Sequence, residues 1–479
     1  MAKELGSLQR SANNRNTLEN SRIEWRPEAG NHAGGVERRR TTDKDNADVI
    51  FFFSMLEKIL DYRNTQKALQ QVISNKGAGG IDGMETGELQ EWLENNWIGW
   101  KESILEGKFR PQAVRKVEIP KPGGTGKRML GIPCVSDRLL QQAISQWLNN
   151  LYEPGFSTHS YGFREGRNAH QAVLEAQRYL EEGKEWIVEL DLDQFFDRVN
   201  HDKLMGTLAK RIEDKRTLKL IRSYLNSGIM EGGLVSARAE GVPQGSPLSP
   251  LLSNIVLDAL DKELEARGHS FVRYADDVSI YVGSERSAQR VMETITEYIE
   301  KELKLKVNRK KSQISQPGGS NLLGFSFFRN KDKWEIKIAP KSLKRIKKKI
   351  RAGTQRKDPT PARERIKKME AVIVGWVNYF RIARAKTAMI ELDWMVRHRL
   401  RMGIWKQWKT PQNRTKNLRK LGIGKSLLSR WGTSGSSYCR IANNQLLKTA
   451  INNNVLKGAG YVGFYQHYYW KTEHQTKLF

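Results

Sequence analysis

From Trp186 the chain alternates in period two: Trp186, Val188, Leu190 and Leu192 fall on one face, Ile187, Glu189, Asp191 and Asp193 on the other. That pattern predicts a half-buried strand whose second face ends in acids. In FVRYADDVSIYV, from Phe271, the flanks alternate like two strands, so ADD is expected at a tight hairpin turn that carries Asp276 and Asp277 past the edge of a sheet. AVRKVEIPKPGGTGKRMLGIP predicts two further strands joined by a Gly-rich turn. Helical spacing begins at Met55, Leu56 and Leu60, and recurs in Leu204, Leu208 and Ile212, with Asp202 as the cap, and in Val291, Ile295 and Ile299. An α+β fold with a mainly antiparallel sheet follows for this region.

After WEIKIAP the pattern changes to basic amphipathic helices. Leu343, Ile346 and Ile350 form a stripe among Lys344, Arg345, Lys347, Lys348, Lys349 and Arg351. Thr360 and Pro361 read as the cap and first residue of a helix with Ile366, Met369, Ile373 and Trp376, and a third helix carries Leu392, Met395, Val396 and Leu400. A small bundle is expected. Beyond it, GIWKQWKTPQNRTKNLRKLGIG and GYVGFYQHYYW interleave basic and aromatic residues, which suits stacking on unpaired bases. Trp405 and Trp408 suit the core of a helical module equally well. Residues 1–50 are polar and lack apolar periodicity, as in a flexible arm.

The formal charge is +29, with 82 Lys+Arg against 53 Asp+Glu, and so large an excess points to a polyanionic partner, nucleic acid. Two cysteines, Cys134 and Cys439, without a Cys-x-x-Cys pair, argue against a disulfide framework and a Cys-rich zinc module. The apolar run VIFFFSMLEKIL is broken by Glu57 and Lys58, short of a bilayer span. Glu4, Glu19 and Glu24 sit badly with a transit peptide, so a cytoplasmic (cytosol or nucleoid) location is expected.

Paired aspartates can be a simple turn dipeptide. In a cationic chain that also ends a strand in acids, they suit something else. Phosphoryl transfer with two divalent ions needs about three carboxylates from separate segments, because Mg2+ takes oxygen ligands and keeps positions for phosphate and water. Periodicity alone does not choose among Glu189, Asp191 and Asp193.

YADD, with DLDQFFDRVNH and GVPQGSPLSPLLSNI, resembles the palm of reverse transcriptases. With NKGAGGIDGM, VEIPKPGGTGKRMLGIPCVSDRLLQQAI, SYGFREGRNAHQAV, LKLKVNRKKSQI, LLGFSF, GWVNYF and RLRMGIWKQWKTPQNRTKNLRKLGI, the chain resembles bacterial group II intron-encoded reverse transcriptase/maturases from Met55 to about Ile423. The resemblance implies a right-hand polymerase: fingers and palm over 51–335, a helical thumb or maturase (X) domain over 336–400, and a basic DNA-binding region over 401–479. It implies catalysis by Asp191, Asp276 and Asp277, with Asp191, Leu192, Asp276 and Asp277 as the metal set for two Mg2+ ions, Mn2+ being a substitute. Asp193 is then a supporting or capping residue.

By the same resemblance, Phe196 excludes a 2′-hydroxyl by its bulk while Phe195 is core, and Gln244, held in a Gly- and Pro-rich loop, meets the incoming nucleotide. Lys121 and Arg128 grip the triphosphate, and Lys311 contacts the phosphate backbone or protonates the departing pyrophosphate. The implied partners are a group II intron RNA, an RNA template with a DNA primer, target DNA and deoxynucleoside triphosphates. The implied function is RNA-directed DNA synthesis coupled to intron splicing and mobility. Its rivals are a splicing-only RNA-binding maturase, which would be expected to lose the acids, and a domesticated reverse transcriptase in repair or phage defence. Phe196 disfavours an RNA-dependent RNA polymerase. Cys439, His467 and His474 do not match the paired metal ligands of the nuclease module that ends some relatives, so a member without that module is expected.

Overall fold

A computed structural model describes residues 54–120, 126–231, 234–236, 240–424, 428 and 437–475. The arm expected over residues 1–50, Lys121 with its Gly-rich turn, and parts of the 401–479 region lie outside the described residues.

The described strands are β1 (Val114–Pro120), β2 (Lys127–Ile132), β3 (Trp186–Asp191), β4 (Ile229–Glu231), β5 (Leu234–Ser236), β6 (Ser270–Tyr274), β7 (Asp277–Val282), β8 (Gln313–Ser315), β9 (Phe325–Asn330) and β10 (Lys333–Ile338). β1 and β2 form the expected antiparallel pair, and β1 also runs parallel to β4, which pairs with β5. The acid-bearing sheet has the order β6-β7-β3-β8 and is antiparallel throughout. β9 and β10 form a separate hairpin.

The pleat sends Val188, Leu190, Phe271, Val278 and Ile280 into one core, shared with Leu204, Leu257, Leu260, Ile295 and Ile299. Ile187, Val272 and Tyr281 enter a second core with the helix Ala169–Glu181, Phe325 and Phe327. The second face of β3 is therefore not polar along its length. It is buried at Ile187 and opens only towards Asp191, so the acids stand at one end of a sheet covered on both faces.

Two caps differ from expectation. Asn200, not Asp202, caps the helix His201–Ala209: its side chain accepts from Lys203 N at 2.9 Å, while Asp202 lies exposed and pairs with Arg222 at 2.7 Å. Ile212 lies beyond that helix yet remains buried. Pro361 has an extended ψ of 143° and flanks the helix Ala362–Phe380 rather than starting it, and no side chain caps that end.

The basic helices Pro340–Gly353, Ala362–Phe380 and Lys386–Gln407 place Ile346, Ile350, Ile366, Met369, Ile373, Leu392, Val396 and Leu400 in the second core. That core continues through Leu418, Ile441, Leu447, Tyr461 and Phe464. Positions 335 and 400 fall inside β10 and inside the helix Lys386–Gln407, so packing is continuous there. Trp405 is buried with the Arg414 guanidinium 4.8 Å from its ring centre, which makes it a core residue, and Trp408 is half-buried beside it. No helix among the described residues is long and apolar enough to cross a membrane.

The aromatic end is fastened by acids. Asp393, 2% exposed, accepts from Tyr461 Oη at 2.6 Å, Phe464 N at 2.7 Å and Tyr465 N at 3.0 Å, which answers the unpaired first-turn N–H groups and positive end of the helix Phe464–Gln475. Glu370 accepts from Gly463 N at 3.3 Å and pairs with His467 Nε2 at 2.5 Å. Gly463 has φ +94°, and a Cβ there would stand 2.5 Å from Asp393 Oδ1. Asp393→Ala leaves a buried hydroxyl and two N–H groups without an acceptor; urea denaturation of the full chain is expected to register a loss of about 2–5 kcal/mol.

Candidate active site

Asp191, the last residue of β3, is paired in register with Asp277, the first of β7. Residues directly opposite in an antiparallel pair have Cα atoms about 4.5–5.5 Å apart, so acids from segments far apart in sequence meet through the backbone alone. Tyr274 also pairs with Asp277, which leaves Ala275 and Asp276 as the whole turn. Ala275 adopts φ +58°, a left-handed conformation that costs a residue with a Cβ about 1–2 kcal/mol. Gly162 lies against this turn so closely that a Cβ would stand 2.3 Å from Ala275 N.

The three acids on the β3 face have different partners. Glu189 is occupied structurally, accepting from Gln313 Nε2 at 2.6 Å and Asn321 N at 2.8 Å. Asp193 pairs with Arg198 at 3.3 Å and caps nothing; Gln194 flanks the short helix Phe195–Arg198. Asp191 receives Lys311 Nζ at 3.0 and 3.2 Å from its two carboxylate oxygens, and its N–H donates to Ser312 Oγ at 3.0 Å.

Desolvation in the dense protein around the turn, with the charge of Asp191 adding to it, pushes Asp276 above the usual carboxylate range, against the pull of Arg128 and Lys311. Asp277 is pushed up to about 6 by desolvation, then by Asp276 and Asp191. Its side chain still reaches solvent, so crowding at the turn, not enclosure in a core, is what resists ionisation.

Around the acids, Phe195 is buried and Phe196 half-buried, their rings 5.3 Å apart, with Phe196 O accepting from Val242 N at 2.6 Å. The loop carrying Gln244 is locked to the same segment. Gly241 N donates to Val199 O at 2.8 Å, His201 Nε2 meets Gly241 O at 2.7 Å, and Ser249 Oγ donates to Pro243 O at 2.7 Å. Gln244 O accepts from Gly131 N of β2 at 2.9 Å, tying this loop to the strand of Arg128. Arg128 lies exposed on β2, near enough to act on Asp276, whereas Lys121 is outside the described residues.

Pattern reading missed the residues beneath the turn. Arg273, 0% exposed, sends Nε and Nη2 to the two oxygens of Asp261, both at 2.6 Å. Nη1 reaches Asn254 Oδ1 at 3.0 Å and Ala275 O at 2.9 Å, and Nη2 also reaches Ser160 Oγ at 2.8 Å. The signal was present: an arginine on the core face of an apolar strand, with Asn254 and Asp261 seven residues apart on one helix.

Residues 119–327 match the family model for reverse transcriptase (RNA-dependent DNA polymerase), and residues 343–422 match that for the group II intron maturase-specific domain. Protein YkfC of Escherichia coli (strain K12) is 32% identical over 309 residues, covering 56% of this chain and 81% of YkfC. The chain belongs to the group II intron reverse transcriptase/maturase family. The group II intron-encoded protein LtrA of Lactococcus lactis subsp. cremoris is 34% identical over 233 residues, 47% of this chain and 37% of LtrA. A 91 kDa protein in the cob intron of Schizosaccharomyces pombe is 38% identical over 185 residues, 39% of this chain and 22% of that protein.

Reverse transcriptases generally use divalent ions. Among the described residues no three Asp, Glu, His or Cys side chains converge closely enough to hold one, and in this reverse transcriptase/maturase the Asp191 carboxylate is turned to Lys311. The donor chemistry nevertheless fits a hard cation: Asp276 and Asp277 resist ionisation beside Asp191, and an ammonium already bridges both Asp191 oxygens. Leu192 is buried, and the ladder bonds beside it use Asp191 O and Asp193 N, which leaves its carbonyl outside the ladder.

A raised carboxylate binds a proton in the fold that the unfolded chain has released, so stability of the metal-free protein falls as pH rises through the window between the ordinary value, about 4, and about 6. Protons and a divalent cation compete for the same oxygens. The rise in melting temperature on adding Mg2+ is therefore expected to be larger at about pH 7.5 than at about pH 5.5, and to lose much of that pH dependence in Asp277→Asn. Equal shifts at both pH values in the wild type would contradict the crowding.

Proposed function

We propose that this protein extends a DNA primer on an RNA template and also clasps a group II intron RNA to assist its splicing and mobility. The observation that carries the reading is the β3–β7 register, which pairs Asp191 with Asp277 beside the Asp276 turn. In the reaction the primer 3′-oxygen attacks the α-phosphorus of a deoxynucleoside triphosphate. The new O3′–P bond forms as the bond from that phosphorus to the β-bridging oxygen breaks, pyrophosphate leaves, and the hydroxyl proton passes to solvent.

Asp191, the Leu192 carbonyl, Asp276 and Asp277 would hold two Mg2+ ions, with Mn2+ as a substitute. When bound, these supply the positive charge that favours the 3′-alkoxide and the departing pyrophosphate. Asp191, Asp276 and Asp277 orient the reacting groups. Lys121 and Arg128 are suited to the triphosphate, Lys311 to a nucleic-acid backbone phosphate or the departing pyrophosphate, Gln244 to the base of the incoming nucleotide, and Phe196 to the face of its sugar. Phe196 O is bonded into the Gln244 loop, which supports a ring held too firmly to make way for a 2′-hydroxyl.

The RNA-clasping half of the reading draws on the maturase-specific match and on the helix Pro340–Gly353, where Lys341, Lys344, Arg345, Lys348, Lys349 and Arg351 are exposed. Such a surface suits recognition by backbone charge and shape. We assign fingers and palm to 51–335, thumb to 336–400 and a region for target DNA to 401–479, in a cytoplasmic protein.

An annealed RNA template and DNA primer, with deoxy- and ribonucleotides in parallel, tests the reading. Extension is expected with deoxynucleotides, falling about 10³-fold or more in Asp276→Ala; a mutant that extends normally sinks the polymerase assignment. Phe196→Ala is expected to narrow discrimination against ribonucleotides by about 10- to 100-fold. Unchanged ribonucleotide incorporation would remove Phe196 from that role.

A further inference from the structure

We propose that Arg273 is the positioning residue of the catalytic turn: from beneath the sheet it holds the Ala275 carbonyl, and so fixes the left-handed backbone that aims Asp276 and Asp277. The inference rests on the polymerase reading of those acids.

A guanidinium has five N–H donors in a rigid fork. At Arg273 all five are answered: Nε by Asp261, Nη1 by Asn254 and Ala275, Nη2 by Asp261 and Ser160. Four of the five bonds end on side chains of surrounding elements and fix the guanidinium. The fifth ends on a backbone oxygen, and that oxygen belongs to the catalytic turn. Asn254 closes a second path, because its Nδ2 donates to Gly162 O at 3.0 Å and Gly162 abuts Ala275 N. The segment before Gly162 is itself stitched to β6, with Arg273 N donating to His159 O and Tyr161 N to Arg273 O, both at 2.9 Å. The turn is thus held from its carbonyl side by Arg273 and from its N–H side by Gly162.

A core that needed only stability would not require this device. Replacing both members of a buried ion pair by apolar residues of similar volume is often neutral or stabilising, whereas removing one member strands the other charge. What apolar residues could not do is fix the Ala275 oxygen. A displacement of about 1 Å at catalytic groups costs on the order of 10²-fold in rate, so the proposal predicts a catalytic loss separable from a folding loss.

The test uses the full chain as wild type, the double variant Arg273→Met/Asp261→Leu, and Ser160→Ala, which deletes one bond without stranding a charge. Four readouts are taken: melting temperature, template–primer affinity, equilibrium Mn2+ binding without substrate, and kcat with the Mg2+ concentration for half-maximal rate. The double variant is expected to melt below wild type, because Asn254 Oδ1 and Ala275 O lose their donor, but to fold and to bind template–primer equally well. Its kcat should fall about 10- to 100-fold while Mn2+ binding weakens and the Mg2+ requirement rises several-fold. Ser160→Ala should move the same readouts the same way by about 2- to 5-fold. A folded double variant with wild-type kcat and wild-type Mn2+ binding overturns the proposal. Should the double variant not fold, Ser160→Ala decides: wild-type values of kcat and Mn2+ binding overturn it. A wild type that does not extend primers defeats the polymerase reading instead, and the Mn2+ measurement still reports whether Arg273 sets the turn.

Discussion

Antiparallel hydrogen bonding holds β3 and β7 in the one register that sets Asp191 opposite Asp277. Side chains alternate strictly across a sheet, so a slip of one residue would turn Asp191 to the face of Val188 and Leu190 and set Leu190 on the face that carries the acids. The register is fixed because the sheet is buried on both faces. Val188, Leu190, Val278 and Ile280 match one core and Ile187, Val272 and Tyr281 the other, and a one-residue slip satisfies neither. Chemistry at one end of the sheet is therefore specified by apolar packing at the other.

Electrostatics at that end run against the rest of the molecule. A chain of net charge +29 gathers three carboxylates at one spot, and the protein around Asp276 and Asp277 resists their ionisation. Lys311 on Asp191, and Arg128 within range of Asp276, offset part of the repulsion. These cations lower the cost of assembling the acids on one end of the sheet.

Period two in the flanks of YADD, and in the strand ending at Asp191, was enough to foresee a hairpin and a neighbouring acid strand, because both signals are local. Local signals could not separate Asp191 from Glu189 and Asp193: the difference lies in Gln313, Asn321 and Arg198, brought up by other segments. The same limit explains Asp202. Asp202 and Asn200 both suit a cap, and only the backbone at Lys203 decides between them. Trp405 was ambiguous because an aromatic among lysines and arginines reads alike whether it faces RNA or lies under an Arg414 guanidinium. The network under the turn stayed out of view for a plainer reason: Ser160, Asn254, Asp261 and Arg273 are spread over more than a hundred residues and meet only in the folded chain.

Ala275 holds a left-handed backbone at the centre of the turn. Glycine would take the positive φ without cost, but a free glycine also leaves the turn several conformations. Alanine restricts it, provided something opposes the strain, and Arg273 and Gly162 do so from two sides. Buried acids have comparable work elsewhere in the chain. Asp137 joins Gln112 N at 3.1 Å to Tyr224 Oη at 3.2 Å, and Asp393 fastens the start of the aromatic helix. In a protein with an excess of cations, a buried carboxylate is a scarce acceptor that can order donors from several segments at once. Asp261 does this for Arg273, and through Arg273 for the turn that bears Asp276 and Asp277.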